Sequence, residues 1–304
     1  MKKRIIFIVG PTGAGKSDVA LLLAKKINAA IISCDSMQIY KGMDILTSKP
    51  DKLTRRRVKH YLMDEADLTR EFDVSKYRKI ALKAIGEAEA KGKVALFVGG
   101  TGLYVSALKN GLFETQARDE KLVKRLYSEA KKYGNMRLYK KLKQKDPGAA
   151  LKIHPNDLKR IVRALEVFKS TGKPISQLQQ QRTGLELDHD LEIFCLNLPR
   201  DILYERINSR VDEMFKKGLK EVKGLLKKKI SRTASYAIGI KEISGYLKGE
   251  YTLEEARQRM QLNTRRYAKR QLTWFRKDPA IKWINIKGSD TPKRITQILW
   301  SELS

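Results

Sequence analysis

Eight consecutive residues set the first chemical constraint. Gly10-Pro11-Thr12-Gly13-Ala14-Gly15-Lys16-Ser17 fits the pattern G-x-x-x-x-G-K-[ST] without a gap. Its glycines let backbone N–H groups turn inward around phosphate oxygens. Lys16 adds a cation, Thr12 can donate a further hydrogen bond, and the Ser17 hydroxyl can hold Mg²⁺. The motif predicts binding of a di- or triphosphate but not its hydrolysis. A nucleotide hydrolase also wants a carboxylate for Mg²⁺ at the end of a second apolar strand. Here the apolar run Val94 to Val98 ends in Gly99-Gly100 instead. The run ending at Cys34 meets Asp35, and the following Ser36-Met37-Gln38 reads as substrate contact. The phosphate group is therefore read as a leaving group rather than an energy source. Arg206 and Arg210 stand one helical turn apart and share a face.

These residues need elements that bring them together. Ile5 to Val9 is a continuous apolar run, the mark of a strand buried on both faces of a parallel sheet. Helical spacing follows over Asp18 to Ile27, a second buried strand over Ala29 to Cys34, a helix over Lys76 to Lys91, and a third strand over Val94 to Val98. Strand, helix, strand, helix, strand predicts an α/β fold: a P-loop NTPase-like parallel-sheet core. In such sheets ligands bind at the carboxyl ends of the strands, where Gly10, Asp35 and Gly99 all fall. Residues 116–187 carry no buried strand and read as helices, Asp119 to Lys132 and Asn156 to Ser170, so a mainly helical insertion domain is expected there. The core then comprises 1–115 and 188–304. A strand over Glu192 to Leu198 returns to it. Thr252-Leu253-Glu254-Glu255 is a capping box that opens a long helix to about Arg276, and Ile281 to Ile286 reads as a last short strand.

Composition narrows the partners. The 304 residues carry 64 Lys+Arg against 34 Asp+Glu, a formal net charge of +30. With 41% hydrophobic residues the chain can bury a real core, which excludes a disordered basic tail. The excess is regional. Residues 116–187 hold 18 basic and 7 acidic side chains, and 256–304 hold 12 and 3, whereas 188–255 hold 13 and 12. A local excess of this size points to a polyanion, nucleic acid before a membrane surface. No apolar run is long enough to span a bilayer. The five apolar residues after the basic start are too few for a signal peptide. Cys34 and Cys195 build no disulfide framework, and His60, His154 and His189 lack metal-ligand spacing. A reducing, cytoplasmic setting is expected.

At this point an ordered set of motifs resembles the tRNA dimethylallyltransferase (tRNA isopentenyltransferase) family. The set begins with Gly10 to Ser17, Asp35-Ser36-Met37-Gln38-Ile39-Tyr40-Lys41-Gly42-Met43-Asp44-Ile45 and Lys49-Pro50. It continues through Gly99-Gly100-Thr101-Gly102-Leu103-Tyr104, His154-Pro155-Asn156-Asp157 with Arg160 and Arg163, and Thr171-Gly172-Lys173-Pro174. It ends with Arg206-Ile207, Arg210-Val211-Asp212 and Thr264-Arg265-Arg266-Tyr267-Ala268-Lys269-Arg270-Gln271-Leu272-Thr273-Trp274-Phe275-Arg276. The matches cover nearly the whole chain. Ile240 departs from the pattern, where an aromatic residue is expected. The chain also lacks the C-terminal zinc-finger extension of eukaryotic relatives, so the bacterial type is expected.

The resemblance implies transfer of a dimethylallyl group from dimethylallyl diphosphate to N6 of the adenosine just 3′ of the anticodon, position 37 of tRNA. It implies Asp35 as the base that takes the amine proton, Lys16 and Thr101 as catalytic partners, and Mg²⁺ held near Ser17. Gly10 to Ser17 with Arg210 or Arg206 would hold the diphosphate. Asp35, Ser36, Met37, Gln38 and Thr101 would face the target base, which must be extruded from its stack. The stretch Lys159, Arg160, Ile161, Val162, Arg163 would meet the RNA, with Lys159, Arg160 and Arg163 projecting and Ile161 and Val162 packing. Two rows on the C-terminal helix, Arg265/Lys269 and Arg266/Arg270, repel unless an anion lies across them, so they too are assigned to tRNA phosphates. Tyr267, Trp274 and Phe275 are expected in the core, and the protein as a monomer. Two readings stay open beside this one: a P-loop kinase of a small metabolite, and a non-catalytic, nucleotide-dependent RNA-binding protein.

Overall fold

The structure, a computed structural model, describes residues 2–113 and 119–303. It divides into two compact units, residues 1–109 with 188–304, and residues 110–187. The expected boundary at 115/116 lies outside the described residues.

In the first unit the elements run β1 (Lys3–Val9), α1 (Lys16–Lys26), β2 (Ala29–Ser33), α2 (Lys52–Arg57), β3 (His60–Tyr61), α3 (Val74–Ala90), β4 (Val94–Gly99) and α4 (Gly102–Lys109). The second unit holds α5 (Glu120–Tyr133), α6 (Asn135–Lys145), α7 (Pro147–Lys152), α8 (Leu158–Thr171) and α9 (Ile175–Gln180). The first unit resumes with β5 (His189–Asn197), α10 (Arg200–Leu225), α11 (Ile240–Leu247), α12 (Leu253–Phe275), β6 (Lys282–Asn285) and α13 (Pro292–Leu303).

The six strands form one sheet in the order β3-β2-β4-β1-β5-β6, and every pair is parallel. The central strand β1 explains its own position. Ile5 to Val9 are each no more than 2% exposed, which only a strand covered on both faces achieves. Burying such side chains stabilises the fold by roughly 1.5–3 kcal/mol each. Phe7 stacks on Phe97 of the neighbouring β4, with ring centroids 4.7 Å apart. The expected capping box closes α12: the Thr252 hydroxyl accepts from Glu255 N–H, and the Glu255 carboxylate accepts from Thr252 N–H at 2.7 Å. Ile240, the departure from the motif, is buried in the first turn of α11.

The helical unit builds its own apolar centre from Leu122, Leu126, Leu138, Leu142, Ile161 and Leu165. Sequence periodicity gave two of its helices; α6, α7 and α9 are additional. Buried Asp146 holds two of these together. Its carboxylate caps α7 at Ala149 N–H (2.8 Å) and accepts from the backbone N–H (2.9 Å) and hydroxyl (2.6 Å) of Ser176. Among the described residues no helix is long and apolar enough to cross a membrane.

Candidate active site

The strand order assembles the site. β2, β4 and β1 are neighbours, with Ser33 level with Val98 and Val9 level with Gly99. The chain leaving β1 is the phosphate loop, the chain leaving β2 carries Asp35, and the chain leaving β4 carries Thr101. All three residue groups singled out from the sequence therefore emerge side by side from the carboxyl end of the sheet. Gly99 lets two of these loops touch. A Cβ there would lie 2.2 Å from the Cys34 carbonyl oxygen. Without one, Cys34 N–H donates to Val98 O (2.8 Å) and Thr101 N–H to Cys34 O (3.2 Å).

Lys16 opens α1 with its ammonium turned back onto the Pro11 carbonyl at 2.7 Å. Burial and then the nearby Arg210 push its pKa down to about 8, against the opposing charge of Asp35. Arg210 donates to the Ser48 hydroxyl at 3.1 Å. Burial lowers its pKa as well, offset by Asp35 and Asp18. Two buried cations thus sit beside the loop, which is the electrostatics an oxyanion needs. Arg206 behaves differently: its guanidinium anchors to the Gly288 carbonyl at 2.8 Å. The two arginines do share a face, with Glu205, Ser209 and Glu213, along an open cavity of about 390 Å³.

Asp35 is half-buried, and its Oδ1 accepts from Met37 N–H at 2.8 Å. The Thr101 hydroxyl accepts from Ser36 N–H at 3.0 Å, which ties the Asp35 loop to the β4 loop. Gln38 is held at both ends of its amide, by the Ser33 hydroxyl (2.8 Å) and by the Thr47 carbonyl (3.2 Å). The loop beyond is fixed from two sides. Glu221 of α10 accepts the N–H groups of Asp44, Ile45 and Leu46 at 2.8 to 3.0 Å. Lys49, its side chain 0% exposed, bonds the Tyr40 carbonyl, Asp44 and Asp64. Both cysteine thiols are pushed up to about 12, chiefly by burial, so neither is poised as a nucleophile.

Two residues of α12 join the site that periodicity had not assigned to it. Gln271, 5% exposed, accepts from Thr12 N–H at 2.9 Å and donates to the Gly100 carbonyl at 2.9 Å. One amide therefore bridges the phosphate loop and the loop that carries Thr101. The signal was present: Gln271 is a polar residue on the Ala268–Phe275 apolar stripe. Tyr267, one turn earlier, is the other. Burial and then the Asp35 carboxylate hold its phenol well above the ordinary value, while a hydrogen bond with Thr101 pulls it back. It is thus neutral, and it belongs to the Asp35–Thr101 group rather than to the core. Trp274 also leaves the expected core: it is 46% exposed, and a Cβ on Gly102 would meet its indole at 2.2 Å. Phe275 is buried as expected.

The basic positions divide as well. In α8, Lys159 and Arg160 are exposed and Arg163 half-buried, but Arg160 pairs with Asp157 and Arg163 with buried Glu166. Ile161 and Val162 must be removed from any RNA-facing set. They are 0% and 2% exposed, within the helical unit's apolar centre. On α12, Arg266, Lys269 and Arg270 are exposed. Arg265 instead turns onto α10, where it donates to Asn208 at 2.6 Å, so its row is relieved by a protein partner.

A parallel sheet with a phosphate loop after its central strand, and a carboxylate and a threonine at the adjoining strand ends, defines a P-loop-type α/β enzyme. The chain belongs to the IPP transferase family, whose model matches residues 38–278. It is 45% identical over 299 residues to the tRNA dimethylallyltransferase of Acetivibrio thermocellus, covering 97% of this chain and 96% of that one. The Geobacter sulfurreducens tRNA dimethylallyltransferase is 46% identical, with 93% and 92% covered. Among solved structures, the tRNA isopentenylpyrophosphate transferase of Bacillus halodurans aligns with a TM-score of 0.72 at 38% identity, over 100% of this chain and 97% of that one. A eukaryotic dimethylallyltransferase acting on tRNA aligns with a TM-score of 0.82 at 30% identity, over 99% and 79%.

Proposed function

We propose that this protein transfers the dimethylallyl group of dimethylallyl diphosphate to N6 of the adenosine 3′-adjacent to the anticodon, position 37 of tRNA. The observation that carries the reading is the convergence of the phosphate loop, Asp35 and Thr101 at adjoining strand ends. The exocyclic amine is a weak nucleophile, because its lone pair is delocalised into the ring. Asp35 takes its proton as the N6–carbon bond forms. The allylic carbon–oxygen bond breaks, and the departing diphosphate carries off the electron pair. Lys16, Arg210 and backbone N–H groups of the phosphate loop neutralise that charge. Arg206, committed to Gly288, is the less suited of the two arginines. Thr101 and Ser36 hold the Asp35 loop against the acceptor base, with Met37 and Gln38 beside it.

Mg²⁺ fits this arrangement. Among the described residues no cluster of three or more His, Cys, Asp or Glu side chains could hold a metal by itself. Magnesium needs few protein oxygens when phosphates and water complete its shell. Ser17, exposed in the first turn of α1, offers such an oxygen. Bound there, the ion would supply further charge neutralisation to the diphosphate. The partner is the anticodon stem-loop of tRNA, bound by a monomer in the cytoplasm. Lys159, Arg160 and Arg163 on one unit, and Arg266, Lys269 and Arg270 on the other, would contact its phosphates. The kinase reading explains the phosphate loop but not the basic excess of 116–187, and the non-catalytic reading explains the charge but not Asp35 beside a phosphate site.

Labelled dimethylallyl diphosphate incubated with unmodified tRNA, without ATP, tests the reaction: label is expected on the tRNA. ATP-dependent phosphorylation of a small molecule with no label transfer would overturn it. The lowered pKa of Lys16 gives a second expectation. Affinity for inorganic pyrophosphate should hold between about pH 7 and 8, then fall by up to about tenfold per unit as Lys16 loses its proton. Calorimetric titrations of Lys16→Arg should lack that decline, because arginine stays charged. The same decline in both proteins would remove Lys16 from this role.

A further inference from the structure

A cationic surface stands apart from the positions considered so far. Residues 52–59 contain Lys52, Arg55, Arg56, Arg57 and Lys59 and no acidic residue. Arg55 turns inward and pairs with Asp64 at 2.6 Å. The other four are exposed, and among the described residues none has a carboxylate within ion-pair distance. Helix electrostatics explains part of this pattern only. Cations in the last turn of a helix are favoured by its dipole, which accounts for Arg56 and Arg57. It disfavours Lys52 in the first turn and does nothing for Lys59, which lies beyond the end of α2.

The surface is joined through hydrogen bonds to the Ser36–Gln38 segment. Asp64, which holds Arg55, also binds buried Lys49 at 2.6 Å, and its N–H donates to the Gln38 carbonyl at 3.2 Å. Lys49 in turn holds the Tyr40 carbonyl. The basic helix and the Ser36–Gln38 segment are therefore linked by one hydrogen-bonded chain. Clustered cations without carboxylate partners repel one another, even with Lys59 resting 5.1 Å over the Tyr61 ring, and a row of phosphates relieves that repulsion. Leu53, 65% exposed among them, adds an apolar contact of the kind a ribose accepts.

We propose that Lys52, Arg56, Arg57 and Lys59 form a phosphate-binding surface for the tRNA strand that flanks the target nucleotide. This rests on the proposed tRNA reaction. The test replaces all four with Gln and leaves Arg55 in place. A control variant replaces Lys25, Lys26, Lys91 and Lys93, which lie where α1 leads into β2 and α3 into β4, and removes the same charge. Binding of an unmodified tRNA transcript is measured against salt concentration. Each lost phosphate contact lowers the slope of log K against log salt by about 0.7–0.9. The test variant should therefore lose about 3 in slope and bind roughly 10–100-fold more weakly near 0.15 M salt, and the control less than 1. Transfer at saturating tRNA should be unchanged. An unchanged slope, or an equal loss in the control, would overturn the surface. If tRNA binds with the expected slopes but no dimethylallyl group is transferred, the reaction fails and the surface stands.

Discussion

Asp35→Asn should lower dimethylallyl transfer by roughly 10²–10⁴-fold, the usual worth of a positioned general base. Affinities for pyrophosphate and tRNA should stay within a few-fold of wild type. The choice of Asn follows from the geometry. Asp35 has one observed contact and one proposed role: its Oδ1 accepts Met37 N–H at 2.8 Å, and its carboxylate, close enough to Lys16 to raise its pKa, is the proposed base. An Asn side chain keeps the first and removes the second, since its amide oxygen still accepts and its nitrogen cannot take a proton. Asp35→Ala removes both. If Asp35 only capped the loop, Asn would restore most of the activity that Ala loses. Steady-state transfer with both variants decides this, and an Asn variant within tenfold of wild type would sink the base assignment. Thermal melting should separate the two in the other direction, with Ala the less stable by about 1 kcal/mol for the lost turn hydrogen bond.

That experiment was designable because the residues concerned are legible from the chain alone. The phosphate loop is a contiguous motif, and β1, β2 and β4 are apolar runs that have one reasonable reading as buried strands. Parallel connection then forces Asp35 and Thr101 beside Gly10. What stayed hidden depends on contacts distant in sequence. Glu221 caps the loop at Asp44 to Leu46 from some 175 residues away, and no spacing rule connects the two. The pairing of Arg160 with Asp157 was accessible in principle from its i,i+3 spacing, whereas that of Arg265 with Asn208 required knowing that α10 packs on α12. In the helical unit, α6 and α7 are separated only by Asp146, whose buried carboxylate does the work of a linker. A reading by punctuation could place Pro147 and Gly148 but not the cap. Ile161 and Val162 show the converse: helical spacing already put them inward, and the structure keeps them there.

The second large effect is expected at Gln271, where a distant contact governs the chemistry. Gln271→Leu has nearly the same volume but leaves two backbone groups unpaired, Thr12 N–H in the phosphate loop and Gly100 O in the Thr101 loop. Each buried polar group left without a partner costs about 1–3 kcal/mol, and both loops are free to shift to recover it. A shift of the phosphate loop weakens diphosphate binding. A shift of Gly100 moves Thr101, and with it Ser36 and the Asp35 loop. Both arms of the reaction should suffer, with kcat/KM falling about 10²-fold or more, since misplacement of about 1 Å is already costly at a reacting centre. Gln271→Glu separates the arms. Its carboxylate still accepts from Thr12 N–H but has no proton for the Gly100 carbonyl, and two oxygens then oppose each other. The Glu variant should keep a near-normal KM for dimethylallyl diphosphate while losing kcat, whereas the Leu variant should lose both. A merely structural glutamine would lower melting temperature and leave this split absent. Gly100→Ala provides an independent approach to the same contact, because a Cβ there would lie 1.9 Å from the Gln271 Nε2 and displace the amide. It should reproduce the Leu pattern without touching Gln271 itself. Retained KM and kcat in Gln271→Leu would mean that the two loops hold their positions unaided.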